Sequence, residues 1–404
     1  MNIKIHTMYF LPEFGSAPVL MNELAAYLSL KGHKVEVITT MPRKSNDKRY
    51  KGRFFSSEED SSSGFDIKRF RVGSFPGALG RLLAWTLYSL FSAGNVLFTA
   101  KKDIFFLRLP PLQLGISGIL AKKLRGSRFI VNLQDIHPDL AVESGILKNK
   151  LLIRTAYLFE RWIYSYADLI IVISEGFKNN LLKKGVNAEK IKIIPNWVDT
   201  EFVRPLARDN RVSDKLALKD KFVVMYAGTI SLSSIVTLNL LLDAAALLQN
   251  DKDILVVIVG EGLKKDSLVE KAEKMKLTNI LFTGFLPHED IPYLFASADL
   301  LLVPVDVNKT ELSLPSKLYN CMASGRPILS LAPNNSEIDS FVKDSGCGVS
   351  VDPGDINKIR DVILELKADT GYRSEMGKRG RDYVLNNFSK DKVLKVYEDT
   401  LSLT

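Results

Sequence analysis

Cysteine and histidine are both scarce in this chain of 404 residues, which has two of the first and four of the second. Two cysteines, Cys321 and Cys347, cannot staple a secreted framework and fit a reducing compartment. His6, His33, His137 and His288 are scattered, and even with the cysteines they offer no metal-ligand spacing. Also missing are the G-x-x-x-x-G-K-[ST] phosphate loop, the H-E-x-x-H pair and the G-x-S-x-G nucleophile elbow, each of which would have announced its own chemistry. The opening Met-Asn-Ile-Lys-Ile-His reads as a first strand rather than as a secretory leader. With 46% hydrophobic and 25% charged residues, a disordered, collagenous or disulfide-scaffold chain is excluded, and the length predicts two domains.

What is present is an uneven charge. The net charge of +9 comes from residues 1–200, which carry 29 basic against 17 acidic side chains; the remainder carries 26 against 29. A basic first half suggests nucleic acid, an anionic membrane surface or a phosphorylated substrate. No nucleic-acid recognition motif accompanies the charge, so nucleic acid drops out.

One stretch reaches the length of a membrane element. Residues 82–100 form 19 uncharged positions that include Trp85. Six of them are Thr, Ser, Gly or Asn, which is polar for a lipid-exposed span. A span, a buried helix and a helix dipping into one leaflet all remain open, and the flanking Arg69, Arg71, Arg81, Lys101 and Lys102 would suit headgroups in the last case.

Elsewhere, apolar runs of strand length alternate with helix-period segments. Strands are expected at 3–10, 34–40, 103–109, 128–133, 168–174 and 191–194, then at 222–228, 254–260, 279–283, 299–303, 327–331 and 347–351. Near-continuous β-branched runs separated by helices mean parallel strands buried on both faces, hence an α/β chain of two Rossmann-like domains with a ligand cleft between them. The proline-flanked stretch 195–205 marks the boundary, giving domains 1–200 and 201–385 and a terminal helix at 386–404. Residues 44–64, rich in Lys, Ser, Asp and Glu, read as a surface loop.

Small-residue turns close several strands. Gly15-Ser16, Gly228-Thr229 and Gly260-Glu261-Gly262 each open a helix, where free backbone N–H groups suit a phosphate. In the segment 313–328, Pro315 starts a helix that Gly325 ends, and Ser316, Lys317 and Asn320 share a face able to bond a ribose and neutralise a diphosphate. The residue types alone also fit an ordinary surface helix.

The motifs Tyr9-Phe-Leu-Pro-Glu-Phe-Gly15, Asn132-Leu-Gln-Asp-Ile-His-Pro-Asp139, Pro195-Asn-Trp-Val-Asp199, Tyr226-Ala-Gly228 and Pro315-Ser-Lys317 with Ala323-Ser-Gly-Arg-Pro327 resemble, in register over nearly the whole chain, the family 4 retaining glycosyltransferases. The nearest resemblance is to bacterial O-antigen and surface-polysaccharide enzymes, fucosyl and N-acetylfucosaminyl transferases among them. It implies a GT-B fold with an N-terminal acceptor domain, a C-terminal nucleotide-sugar domain and metal-independent transfer with retention. It implies donor contacts from Gly15, Ser16, Gly228, Thr229, Glu261, Phe285, Ser316, Lys317 and Asn320, with Phe285 beside the base. Asp135 or His137, together with Glu311, would hold the transferred sugar or take the acceptor's proton, although a structural Asp-Pro turn also explains the first two. The implied substrates are a UDP-sugar, favoured over GDP, and a polyprenyl-diphosphate-linked saccharide, met by a cytoplasmic protein at the inner face of the cell membrane.

The chain departs from the family pattern at two points. Asn320 stands where the second of two paired acids is expected, and Ser231-Leu-Ser-Ser234 replaces a basic pair. Losing those cations leaves Lys317, with Arg326, to neutralise a leaving diphosphate. Asp251-Lys252-Asp253 has the D-x-D form of metal-dependent sugar transferases but falls in an expected solvated turn. Two rival readings follow from the departures: a GT-B nucleotide-sugar epimerase, which would need the paired acids, and a partner subunit with a degenerate site.

Overall fold

The computed structural model describes residues 1–13, 15–42, 54–59, 64–73, 75, 77–232, 234–304, 315 and 317–403. These form two compact units, Met1–Asn196 with Val393–Thr404 and Trp197–Lys392.

The first unit contains β1 (Asn2–His6), α1 (Ser16–Leu30), β2 (Lys34–Thr40), β3 (Phe55–Glu59), β4 (Asp66–Phe70), α2 (Gly77–Phe98), β5 (Ile104–Leu109), α3 (Gly115–Arg125), β6 (Arg128–Leu133), α4 (Asp139–Glu143), α5 (Lys150–Tyr166), β7 (Leu169–Val172), α6 (Glu175–Lys183) and β8 (Ile191–Ile193). Its sheet has the order β3-β4-β2-β1-β5-β6-β7-β8, parallel except for β3. All six residues of β5 are buried, which is why that strand reads as an unbroken apolar run apart from Arg108. The expected loop over 44–64 is corrected by β3, which pairs antiparallel with β4 at the sheet edge; 44–53 and 60–63 lie outside the described residues.

The uncharged stretch lies in α2, which is neither wholly buried nor long and apolar enough to cross a membrane. One face packs on the sheet: Tyr88 donates to the Ile38 carbonyl at 2.8 Å and stacks on Phe70, while Ser92 bonds the buried His6. The opposite face leaves Leu79, Leu83, Leu87 and Leu90 exposed. Two residues before His6 in β1, the fully buried Lys4 meets Glu36 at 3.2 Å and donates to Asn95 at 2.9 Å.

The second unit contains α7 (Arg211–Lys215), β9 (Phe222–Ala227), α8 (Ile235–Leu247), β10 (Ile254–Val259), α9 (Lys265–Lys274), β11 (Ile280–Thr283), α10 (Ile291–Ala296), β12 (Leu300–Pro304), α11 (Lys317–Ala323), β13 (Ile328–Leu331), α12 (Glu337–Ser345), β14 (Gly348–Val351), α13 (Ile356–Ala368) and α14 (Thr370–Asn387). The last helix, α15 (Lys390–Ser402), begins in this unit and continues in the first. The six parallel strands run β11-β10-β9-β12-β13-β14, the doubly wound order with its switch point between β9 and β12. One apolar cluster, built around Leu318, Met322 and Val384, covers one face; the other, around Leu241, Leu268 and Ile363, covers the second. Asp251 of the D-x-D triplet is held by Lys367 through both carboxylate oxygens at 2.7 Å, consistent with a solvated turn.

Candidate functional site

The loop that follows β9 lies at the switch point of the second unit, where β9 neighbours β12 and open α/β sheets take their ligands. The β9–β10 pairing continues into both glycine turns. Gly228 N–H donates to Val259 at 2.8 Å, and Ile230 N–H donates to Glu261 at 2.9 Å. A Cβ on Gly260 would stand 1.9 Å from the Gly228 carbonyl oxygen, and one on Gly228 would stand 2.2 Å from Lys317 Nζ. Both glycines have φ near +150°, so small size and backbone freedom are required together.

Lys317 opens α11 and lays its ammonium 4.0 Å above the ring of Tyr226, whose hydroxyl donates to the Thr229 carbonyl at 2.7 Å. Among the described residues no carboxylate pairs with this lysine, and burial pushes its ammonium down to about 8. A half-buried cation over an aromatic face and beside a glycine turn is ready for an anion.

The remaining donor candidates of this unit are arranged less tightly. Asn320 lies half-buried one turn along α11, Thr229 is exposed, and Phe285 projects its ring into solvent. Glu261 bonds Lys265 at 2.6 Å. Ser234 accepts from Ser231 N–H at 3.0 Å and donates to Thr229, so Ser231 and Ser234, within the segment that stands in place of a basic pair, brace the turn. Ser316 and Glu311 lie outside the described residues.

In the first unit Gly15 precedes Ser16 at the start of α1 with no side-chain cap, leaving first-turn N–H groups open. Asp135 is exposed just beyond β6, whereas His137 is half-buried with Trp85 edge-on at 5.5 Å. The nearby Asn196 donates to Gln134 at 2.9 Å, and Gln134 donates to Asn132 at 3.0 Å, fixing the chain on either side of the β6 end. Arg108, missed from sequence, is a buried guanidinium at the end of β5, lowered by burial and opposed by the charge of Asp135. A lone arginine inside an otherwise apolar strand was the available signal.

The basic candidates divide. Arg71 and Arg81 are exposed and Lys101 is free to solvent, but Lys102 bonds Glu36 at 3.2 Å. Arg69 is buried on Glu58 and the Leu11 carbonyl, which corrects its expected place at headgroups.

Two mainly parallel α/β sheets, one with a glycine-lined turn beside a lysine at its switch point, are the parts of the GT-B fold. Residues 17–202 match the model for "Glycosyltransferase Family 4", and residues 208–383 match that for "Glycosyl transferases group 1". The chain belongs to glycosyltransferase family 4. It is 26% identical to the "Putative colanic acid biosynthesis glycosyl transferase WcaI" of Escherichia coli, over 98% of both chains. It is also 26% identical to the "Probable glycosyltransferase WbjE" of Pseudomonas aeruginosa, over 77% of this chain and 78% of the relative. Among solved structures, sucrose-phosphate synthase from Thermosynechococcus elongatus superimposes with a TM-score of 0.76 at 17% identity, covering both chains fully. Anabaena Alr3699/HepE in complex with UDP and glucose gives 0.73 at 18%, again covering both chains fully.

Proposed function

We infer that this glycosyltransferase moves a sugar from a UDP-sugar to a lipid-linked saccharide during surface-polysaccharide synthesis, with retention at the anomeric carbon. The observation that carries the inference is Lys317, a half-buried ammonium over Tyr226 at the Gly228 turn with no carboxylate partner among the described residues, where a diphosphate would supply the opposite charge. UDP is favoured over GDP by analogy with the neighbour solved with UDP, and a polysaccharide product by the name of WcaI.

In this reading Lys317 stabilises charge growing on the departing diphosphate. The N–H groups of Gly228 and Ile230 are already given to Val259 and Glu261, which corrects the expected phosphate contact from the Gly228 N–H. The departing oxygen then takes the acceptor's proton on the same face as the new bond. Phe285 would stack on the base and Asn320 would bond the ribose. Asp135, exposed and opposed by Arg108, would hold the transferred sugar, with Glu311 as its second contact and His137 as the alternative. The first unit would carry the acceptor; Arg71, Arg81 and Lys101 would meet an anionic membrane, with Trp85 behind them.

Purified protein is incubated with bacterial membranes and a panel of UDP- and GDP-sugars. Release of UDP from one donor, dependent on the membranes, is expected. Absence of nucleotide release from every donor would sink the reading, and product formation without an acceptor would replace it with an epimerase.

A further inference from the structure

Three neighbouring helices of the first unit, α2, α3 and α5, form one layer. Arg125 of α3 donates to the Val96 carbonyl of α2 at 3.2 Å, and Lys122 of α3 donates to the Tyr166 carbonyl of α5 at 3.0 Å. A Cβ on Gly115 would stand 2.5 Å from Ile163, so α3 and α5 are in close contact. The outward side of the layer is apolar along its breadth. The α2 row of Leu79, Leu83, Leu87 and Leu90 is followed by Ile116 and Leu124 on α3, then by Leu151, Leu158 and Trp162 on α5, all exposed. On α5 the rings of Phe159, Trp162 and Tyr166 follow one another at 5.8 and 5.9 Å, with Lys123 over the last at 4.5 Å.

Charge distinguishes the possible occupants. The three helices carry seven basic side chains: Arg81 on α2, Lys122, Lys123 and Arg125 on α3, and Lys150, Arg154 and Arg161 on α5; Lys122 is paired with Asp168 at 2.6 Å, just beyond α5, which leaves six. Their one carboxylate, Glu160, is buried under Lys184 at 2.8 Å. A second copy of so cationic a face would be repelled. An anionic bilayer would receive the leucines and aromatic rings at the acyl boundary and the lysines and arginines at its headgroups.

We propose that the outer face of α2, α3 and α5 is a docking surface for an anionic phospholipid bilayer, with α5 as its aromatic and basic anchor. The inference rests on the membrane partner of the proposed function and changes where that partner sits. The uncharged stretch of α2 is one margin of the surface, and Arg69 has no part in it.

Flotation of the full chain with phosphatidylcholine vesicles, with and without phosphatidylglycerol, tests this at low salt. Wild type is expected to float only with phosphatidylglycerol. The pair R154E and R161E should bind at least about 25-fold more weakly, from roughly fivefold per cation removed. The pair L158S and W162S should lose about tenfold or more through apolar burial. The pair L247S and K252E, on the second unit, should float like wild type, and UDP affinity by calorimetry should be the same in all four proteins. If wild type floats and both α5 pairs float equally well, the docking face is wrong while a membrane partner stands. If wild type floats with neither vesicle, both are wrong, whereas retained UDP affinity would keep the donor reading. A wild-type dimer dissolved by L158S and W162S would overturn the bilayer in favour of a second copy.

Discussion

Replacing Lys317 by methionine keeps the alkyl stem over Tyr226 and removes the charge. It should weaken the ligand while sparing the fold, a pair of effects that an ordinary structural lysine would not give. The ammonium is pushed down to about 8 by burial and has no carboxylate partner among the described residues, so in the unliganded protein its charge is carried at a cost. A lysine ordinarily titrates at 10.5, so the folded state disfavours the charged form. That penalty is fully present below pH 8 and vanishes above 10.5, and wild-type stability should rise with pH across that window. Lys317→Met should lack the rise and unfold at the same or a higher temperature at pH 7. A charge-assisted hydrogen bond to a diphosphate contributes about 1.5–3 kcal/mol, so UDP should bind about tenfold to about 150-fold more weakly. Affinity of wild type should also fall above pH 8, with proton uptake on binding visible as a calorimetric heat that depends on the buffer. Calorimetry with UDP and thermal unfolding at pH 7 and 9 supply both readouts. A variant that binds UDP within twofold of wild type, or that is less stable and equally avid, would refute the reasoning.

Other substitutions separate the site from the scaffold. Gly260→Ala would drive a Cβ to 1.9 Å from the Gly228 carbonyl at φ +147°; it should abolish UDP binding and lower stability by about 2 kcal/mol or more, read by chemical denaturation. Phe285→Ala removes an exposed ring, so calorimetry should show UDP affinity reduced by about 1–3 kcal/mol with unfolding unchanged. Burial alone would raise the Glu36 carboxyl, but the hydrogen bond from Lys68 and the charges of Lys4, Lys68 and Lys102 overcome it and hold it at about 2. Its stabilisation is present above pH 4.5 and lost as pH falls toward 2, and Glu36→Gln, leaving Lys4 buried without its carboxylate, should cost about 3–5 kcal/mol at pH 7 by denaturant titration. Burial raises Glu160 to about 7 despite Lys184, so its contribution is greatest below pH 4.5 and declines as pH rises through 7; Glu160→Gln should flatten that part of the stability profile.

Twelve of the fourteen strands among the described residues were legible in the sequence because strands buried on two faces need apolar side chains at nearly every position, as β5 and β9 have. β4, Asp-Ile-Lys-Arg-Phe, was missed because its charged residues break the apolar run. The edge strand β3, Phe-Ser-Ser-Glu-Glu, carries no such signal: at the rim one ladder and half a face suffice, and polar residues are tolerated. Composition alone left α2 open between burial and lipid, since a helix with one face on a sheet and leucines on the other resembles both. The cation and the glycine turn of the candidate donor site were legible through Pro315-Ser-Lys317 and Tyr226-Ala-Gly228, but the seating of the ammonium on the Tyr226 ring was not. Tyr226 and Gly228 reach Lys317 only because the strand order places β9 beside β12. Arg69 illustrates the opposite limit, because a basic residue beside an apolar stretch looks available until Glu58 is seen against it.

The most direct measurement of the donor-site claim is a crystal structure of the protein with UDP. The account predicts the diphosphate at the turn after β9, with a phosphate oxygen about 3 Å from Lys317 Nζ and the base beside Phe285. A diphosphate seated away from Lys317 and the Gly228 turn would contradict it.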